Sequence, residues 1–583
     1  MRALIAILFL CLAGCRFSGD SSHPNVILIM TDDQGYGDFG FMGNPVIRTP
    51  NLDQMASRSA MMTRFYVSPV CAPTRASLMT GRYNYRTRVV DTYVGRAMME
   101  PDEVTIAEVL RDAGYATGIF GKWHLGDTYG MRPQDQGFEE TLVIRGGGIG
   151  QPSDPPGGEA KYTDPILFHN GEQQQMTGYC TDIFFDNALD FLAKNVATGR
   201  PSFVYIAPNA PHGPFGDVPM DLYRSYAAED LRPALAADRN TENDEQLLDR
   251  TARIFAMITN IDDNIGKLFA RLDKLGIYDD TLVLFLTDNG PNGPRWVGRL
   301  RGHKGQVLEG GIRTPLLAHW PAKLRAGEAS DRVAAHYDIF PTILEAAGVP
   351  KPDGPRLDGR SLLPLLRGEQ VQWPDRTIFL QWHRGDRPVR YRSFAAVGQR
   401  QKLLHQNFEG SEPPANPQFE LYDLLADPSE TSNQATRAPD TVGTIRRSYD
   451  NWFDNVSNTR PDNYAPPRIQ IGTPYENPTV LTRQDWRHGT ESQGWRPNAV
   501  GWWLLHAAAG VYDIRVTFKP AEHAETLALS VGGFEQTAPV KAGTREFTFK
   551  NAQLAAGDTR LDAALTQSGK RRGVWQVYVS KQK

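Results

Sequence analysis

The stretch SPVCAPTRASLMTGRYNYR, residues 68–86, decides how the rest of the chain is read. A lone cysteine, Cys71, stands two residues before Pro73 and four before Arg75, and a helical pattern follows. The thiol is a nucleophile, a packed core residue, or the precursor of something else. Its surroundings along the chain choose between these.

Outward from it lie four short apolar runs, each ending in a polar cluster. NVILIM (25–30) leads into TDDQGYGD, YATGIF (115–120) into GKWHLG, SFVYIA (202–207) into PNAPHGPF, and TLVLFL (281–286) into TDNGPNG. Their lengths and β-branched content predict buried parallel strands. Helical patterns separate them. One covers 103–113. Another covers 252–276, where Ile254, Met257, Ile258, Ile261, Ile265, Leu268 and Leu272 recur at helical spacing and Gly276 ends the run. This alternation predicts an α/β sheet covered on both faces. Such sheets bind ligands beyond the carboxyl ends of their strands, which is where each polar cluster falls.

Residues 145–175, beginning RGGGIGQPSDPPGGEAKY, are rich in Gly and Pro and predict a long loop, a lid or pocket wall. From about 377 the runs TIFLQW, SFAAVG, KLLHQ and FELYDL predict a small antiparallel sheet, followed by a helix around 438–454. A Pro/Asn-rich linker precedes GVYDIRVTFK, ETLALSVGG, TREFTFK and GVWQVYVSK, short alternating strands that predict a β-sandwich. In the first of these Val511, Ile514, Val516 and Phe518 are expected to face inward, with one irregular step at the start. Trp486, Trp495, Trp502 and Trp503 cluster just before it. All four are expected to fill the sandwich; the alternative is that one or two form a sugar-stacking platform or contact the catalytic domain. The expected divisions are a leader and tether (1–22), a catalytic domain (23–370), an α+β subdomain and linker (371–469) and a β-sandwich (470–583). The sandwich contains no candidate site residue, so truncation after about residue 468 is expected to leave the machinery intact.

A length of 583 residues fits two or three domains, and a net charge of -4 gives no reason to propose nucleic acid as a partner. The chain opens MRALIAILFLCLAGC, an arginine and an apolar run too short to span a bilayer. This predicts a signal peptide. Its end, Leu12-Ala13-Gly14-Cys15, resembles a bacterial lipobox, which implies an exported, lipid-anchored protein, periplasmic or cell-surface and by preference on the outer membrane. Of four cysteines, only Cys71 and Cys180 remain beyond the leader, so a single bridge between them is open. Cys180 is expected to be a buried free thiol.

The polar clusters share one chemistry. Asp32, Asp33, Asp288 and Asn289 offer oxygen ligands suited to a hard cation such as Ca²⁺ or Mg²⁺. Arg75, Lys122 and Lys304 add fixed positive charge, and His124 and His212 add imidazoles. A cation with Lys and Arg suits hydrolysis of a sulfate or phosphate ester. An Asp-Asp pair alone is usually a turn, and a lone Lys or His a surface or core residue; the joint pattern carries the reading.

CAPTRASLMTGR then fits Cys-x-Pro-x-Arg followed by four residues and Thr-Gly-Arg. It resembles the signature of the type I, formylglycine-dependent sulfatases of the alkaline phosphatase superfamily, of arylsulfatase-like type. The resemblance continues through GKWHLG, PHGPF, TDNG and GHKGQVLEGGIRTP and covers most of residues 24–455, not the sandwich. It implies a mixed, largely parallel sheet sandwiched by helices. It also implies that a formylglycine-generating enzyme oxidises Cys71 to an aldehyde. The hydrated aldehyde carries two hydroxyls, one to attack sulfur and one to drive release of sulfate. By the same resemblance Asp32, Asp33, Asp288 and Asn289, with modified Cys71, hold the metal, Ca²⁺ by first choice with Mg²⁺ as the other. Arg75 holds the formylglycine region, Lys122 and Lys304 bind sulfate oxygens, His124 takes a proton from the second hydroxyl, and His212 assists the leaving alcohol. Arg82 is expected to support the loop and Glu309 to be structural. Trp296, Arg299 and Arg301 are candidates to touch substrate. The expected substrate is a sulfated carbohydrate or an aryl sulfate. The nearest alternative is a phosphatase or phosphonate monoester hydrolase on the same scaffold; one from another class is a carbohydrate receptor with a decayed enzyme domain.

Overall fold

The computed structural model describes residues 23–583 except 159, 238–242, 408–414, 463, 490–493, 497 and 521. The leader, with Cys15 and the expected lipid anchor, lies outside the described residues.

The central sheet contains β1 (Asn25–Thr31), β2 (Ala60–Tyr66), β3 (Ala116–Lys122), β4 (Glu140–Ile144), β5 (Ile166–His169), β6 (Glu172–Gln175), β7 (Ser202–Ala207), β8 (Thr281–Thr287) and β9 (Arg313–His319). The two-residue strands β10 (Ala329–Ser330) and β11 (Ala334–Ala335) complete it. The order is β10-β2-β9-β8-β1-β7-β3-β4-β5-β6, with β11 also on β2. The run β8-β1-β7-β3-β4 is parallel. Beyond it, β9 pairs antiparallel with β8 and β2, and β5 with β4 and β6. The sheet is therefore mixed and largely parallel at its centre.

Every residue of β1, β3, β7 and β8 is buried, because helices cover both faces. The two-residue period sorts the side chains: Val26, Leu28 and Met30 join one core, Ile27 and Ile29 the other. Helices α1 (Pro50–Ser57), α2 (Cys71–Thr80), α3 (Ile106–Asp112), α4 (Cys180–Ala197), α5 (Met220–Ala227) and α6 (Asp244–Leu275) lie along this part of the chain. The seven apolar positions predicted for the long helix are buried on α6, which Gly276 ends at φ 69°. The helix starts eight residues earlier than the apolar pattern, with Asp244 and Glu245 in a polar first turn suited to the helix dipole.

Ile378–Gln381, Phe394–Val397, Gln401–His405 and Glu420–Asp423 form the small antiparallel sheet, packed with the helix Pro439–Ser457. Two further sheets form a sandwich. One contains Ile469–Ile471, Trp502–Ala507, Glu525–Val531, Phe534–Val540, Gly557–Gln567 and Lys570–Gly573; the other contains Thr479–Thr482, Gly510–Thr517, Glu546–Leu554 and Gln576–Lys581.

Three expectations are corrected. The predicted loop over 145–175 includes the β5–β6 hairpin, which extends the sheet edge. Cys71 and Cys180 are both free, so the bridge left open above is not made. In Gly510–Thr517 strict alternation holds without the expected irregular step, so Tyr512 points inward with Ile514 and Val516, fully buried, in place of Val511. The register shift there adds a residue to the partner strand, where Ala552 and Phe549 face Tyr512 and Ile514.

Candidate active site

Because β8, β1, β7 and β3 are parallel neighbours, their carboxyl ends deliver Asp288–Asn289, Asp32–Asp33, His212 and Lys122–His124 to one place. Lys122 is the last residue of β3. Asp33 has φ 64°, which breaks strand alternation. Its carboxylate thereby joins that of Asp32, with His212 Nε2 3.9 Å from Asp33 Oδ2. Cys71 is the first residue of α2, so the amide end of a wholly buried helix faces the same place. One atom each of Asp32, Cys71 and Asp288 lies within 4.8 Å of the others.

Three cations interleave with three carboxylates. Lys122 Nζ donates to Asp32 Oδ2 at 2.5 Å, Lys304 Nζ pairs with Asp33, and Arg75 Nη2 donates to Asp288 Oδ2 at 2.8 Å. Arg75 Nη1 also donates to the Lys122 carbonyl at 2.9 Å, and Thr74 Oγ1 to the Asp288 carbonyl at 2.7 Å, so the first turn of α2 is tied to β3 and β8. Asn289 Nδ2 donates to Asp33 Oδ1 at 2.8 Å, leaving its Oδ1 to face inward. Asp32 Oδ1, Asp33 Oδ2 and Asn289 Oδ1 are buried oxygens with no hydrogen-bond partner. Buried polar atoms are rarely left so. Convergent anionic and carbonyl oxygens, orphaned together, fit a hard divalent cation.

These charges set the protonation of the rest. Burial alone pushes the Asp33 carboxyl up, but Lys304 and His212 outweigh it and hold the group well below the usual range. Burial and the neighbouring Asp32 charge push Asp288 up to about 7, the mark of a carboxylate crowded by others. Lys304 is held charged by Asp33 despite burial. The Cys71 thiol is pushed up by burial in spite of Lys122 and Lys304, so as cysteine it is a poor thiolate. Burial lowers His212 to about 4 and His124 well below its ordinary value, with Lys122 adding to both, so both imidazoles are neutral at pH 7.

The tautomers follow from the partners. His124 Nε2 lies 2.8 Å from the Thr92 carbonyl, which can only accept, so Nε2 carries the proton. Its Nδ1 is left buried and unpartnered, with its lone pair free to accept. His124 sits at φ 61°, a left-handed conformation that aims the ring. His212 Nδ1 donates to the Gly213 carbonyl at 2.8 Å, so a donor role at Nε2 needs a second proton.

The ten predicted residues thus meet at one site, and the structure adds others. Arg295 Nη2 donates to the Asp33 carbonyl at 2.8 Å and pairs with Asp38 at 2.7 Å, bracing the turn after β1. Gln484, from the turn after Thr479–Thr482, donates from Nε2 to the same Thr92 carbonyl at 3.0 Å and lies 3.5 Å from His124 Nε2. The site therefore has a wall from the sandwich, so truncation after residue 468 would remove this contact to the Thr92 carbonyl. Around this contact Val94, Met98 and Met131 share a buried core with sandwich residues including Trp486 and Trp503. Of the four tryptophans, Trp486 and Trp503 fill the sandwich, Trp502 lies under Arg560, and Trp495 meets Tyr93 edge to face. Arg82 pairs with Glu103, and Glu309 with Lys402, Tyr66 and Arg313, all away from the reacting centre. Arg301 is spent on the Glu430 carbonyl, Trp296 packs against Gly37, and Arg299 is exposed.

Three carboxylates balance three fixed cations, so a divalent ion would leave the site net positive. A hydrolase of anionic esters is the class that this fold and this charge pattern define. The chain belongs to the sulfatase family: residues 24–349 match the Sulfatase profile, and 303–445 match that of the N-sulphoglucosamine sulphohydrolase C-terminal region. It is 33% identical over 408 residues to the N-acetylgalactosamine-6-sulfatase of Homo sapiens, covering 64% of this chain and 70% of that protein. It is 32% identical over 455 residues to Homo sapiens arylsulfatase A, covering 70% and 83%. The solved structure of Ps i-CgsB in complex with k-i-k-neocarrahexaose is 28% identical, with a TM-score of 0.61 over 74% of this chain and 92% of that one. The chain is an enzyme that hydrolyses sulfate esters.

Proposed function

We propose that the protein removes sulfate from a sulfated carbohydrate, with formylglycine made from Cys71 by a formylglycine-generating enzyme and a Ca²⁺ ion held by Asp32, Asp33, Asp288, Asn289 and modified Cys71. The orphaned oxygens of Asp32, Asp33 and Asn289, converging beside Cys71, carry this reading. Coordination favours Ca²⁺ over Mg²⁺, since Mg²⁺ prefers to keep several waters and this site is walled by protein oxygens.

In this reading the ion would polarise the sulfate and lower the pKa of an oxygen bound to it. The hydrated aldehyde supplies oxygens for attack and for release. The chain's own residues do the rest. Arg75, clamped between Asp288 and the Lys122 carbonyl, fixes the start of α2 against the strand ends. Lys122 and Lys304 face the anion and offset its charge while pinning Asp32 and Asp33. His124 Nδ1 is the free base, held in that tautomer by the Thr92 carbonyl. His212 lies on the Asp33 side, placed to meet the leaving oxygen once protonated at Nε2.

The carbohydrate part of the reading is supported by similar proteins, an N-acetylgalactosamine-6-sulfatase and Ps i-CgsB in complex with k-i-k-neocarrahexaose. Kinetics on chondroitin and carrageenan oligosaccharides beside 4-nitrophenyl sulfate tests it. A sulfated oligosaccharide should exceed the aryl sulfate in kcat/KM; an aryl sulfate preferred over every sugar would make the substrate a small aromatic ester. The same reading includes export and a lipid tether at Cys15, supported by the charged, apolar leader. No described helix is long and apolar enough to cross a membrane.

A further inference from the structure

The Gly/Pro-rich segment links the active site to a second concavity. The backbone at Gly147 lies against His124, since a Cβ there would fall 2.7 Å from the ring, and a Cβ at Gly148 would fall 3.1 Å from His212. Only two residues on, Gly150 and Gln151 line a cleft of about 610 Å³ between this segment and the sandwich. Two residues of chain span at most about 7 Å, so the cleft opens next to the catalytic imidazoles.

The cleft's far wall comes from the sandwich. Trp495 and Trp575 present indoles there, and Arg483, Lys519 and Arg572 present cations. Trp575 is 44% exposed, unusual for so large an apolar surface unless something covers it. Trp495 has its Nε1 fixed on the Arg483 carbonyl at 3.0 Å and one edge against Tyr93, which sets the ring's orientation. Arg572 is neutralised by Glu525. Arg483 is not: its guanidinium meets the carbonyls of Val574, Gly573 and Arg496 and lies over Trp486, and no carboxylate pairs with it among the described residues. Burial and the Arg572 charge accordingly lower its pKa. Lys519 is exposed and also makes no described ion pair. Among the described residues the one acid in the wall, Asp154, accepts from the Gly150 N–H.

Flat aromatic faces beside under-neutralised cations suit a ring with apolar C–H faces and anionic substituents. Resting on the carbohydrate reading above, we propose that this cleft is a subsite for an anionic sugar unit of the substrate, beyond the ester that is cut. The ring lies on Trp575 and Trp495, and its sulfate or carboxylate meets Arg483 and Lys519. The enzyme therefore favours multiply charged oligosaccharides over single sugars.

The test uses the full-length, metal-loaded enzyme and the variants W575A and K519A, singly and together; both positions are accessible enough to change without threatening the fold. Turnover is measured on sulfated chondroitin and carrageenan disaccharides and hexasaccharides and on 4-nitrophenyl sulfate. Binding of the hexasaccharides is measured by calorimetry in a C71A background. The double variant should lower kcat/KM on the preferred hexasaccharide at least about tenfold relative to the aryl sulfate, chiefly through KM, with a matching loss of affinity. Unchanged hexasaccharide kinetics and affinity in the double variant would overturn the cleft alone. Binding lost in the variant, with no sugar hydrolysed by wild type, would keep the cleft and reject the carbohydrate-sulfatase reading. No hexasaccharide bound or hydrolysed by wild type would overturn both.

Discussion

The strand ends of the central sheet and the seam with the sandwich are built on opposite principles. At the strand ends, four parallel neighbours carry their functional residues immediately after a buried strand, and the partners are short-range charges: Lys122 on Asp32, Arg75 on Asp288. At the seam, loops from distant parts of the chain meet around a shared apolar core, and the polar contacts include single hydrogen bonds to backbone, such as Gln484 to Thr92 and Arg487 to Val94. The first region makes the reaction possible. In the proposed mechanism the second tunes His124, and it supplies the cleft wall. Chemistry should thus fail abruptly when the first is altered and by degrees when the second is.

The largest expected effect is at Cys71. Cys71→Ala removes one sulfur from a buried helix start and should leave a folded protein with kcat lower by about 10⁴-fold or more. Next is Asp288→Asn, which keeps shape but removes a charged ligand and the Arg75 partner. Bound metal by elemental analysis and aryl sulfate turnover should fall together, the rate by roughly 10³-fold. Full activity after exhaustive chelation would separate the carboxylate cluster from the reaction.

At the seam, Gln484→Ala should lower kcat about tenfold with KM little changed, since it loosens the carbonyl that fixes the His124 tautomer rather than a group that binds substrate. Gln484→Glu keeps the shape but loses the amide donor, so it should not restore the rate. Truncation after residue 468 should cost at least as much and expose Val94, Met98 and Met131; full aryl sulfate turnover by the truncated chain would make the two regions independent.

A smaller effect concerns stability. His336 is buried, with Nδ1 on the Tyr66 carbonyl at 3.0 Å, and burial lowers it to about 4. The unfolded chain binds this proton more readily, so the contribution is complete above about pH 6.5 and is lost as pH falls toward 4. The loss amounts to up to about 3 kcal/mol. Denaturant midpoints should fall over that window, less so in His336→Gln relative to its own value at pH 7. Smallest for the rate is Cys15→Ala, which should move the protein from the membrane to the soluble fraction without altering aryl sulfate turnover.

The central sheet and seven candidate site residues, Asp32, Asp33, Lys122, His124, His212, Asp288 and Asn289, were legible because each sits within a few residues of a strand whose burial shows as an apolar run. Cys71, Arg75 and Lys304 lie off those strand ends and were legible through the Cys-x-Pro-x-Arg and GHKG motifs. The seam was not. Thr92 and Gln484 are 392 residues apart, and neither a lone Thr carbonyl nor a lone Gln carries a local pattern. In the sandwich, the strands Phe534–Val540 and Lys570–Gly573 are mostly exposed, so their sequences alternate weakly. The inward face of Gly510–Thr517 differs from the sequence reading at one residue, Tyr512 for Val511: valine is the more apolar neighbour, but the two-residue period back from Ile514 leads to Tyr512. Arg295, which braces Asp33 from a loop, likewise has no spacing signal.

The central claim is that Cys71 acts only after conversion. Preparations made with graded amounts of formylglycine-generating enzyme would be digested and the Cys71 peptide quantified by mass spectrometry as thiol or aldehyde, with sulfate release measured on the same samples. The account predicts that activity rises in proportion to the aldehyde fraction and extrapolates to zero without it. Activity that persists in fully unconverted protein would contradict it.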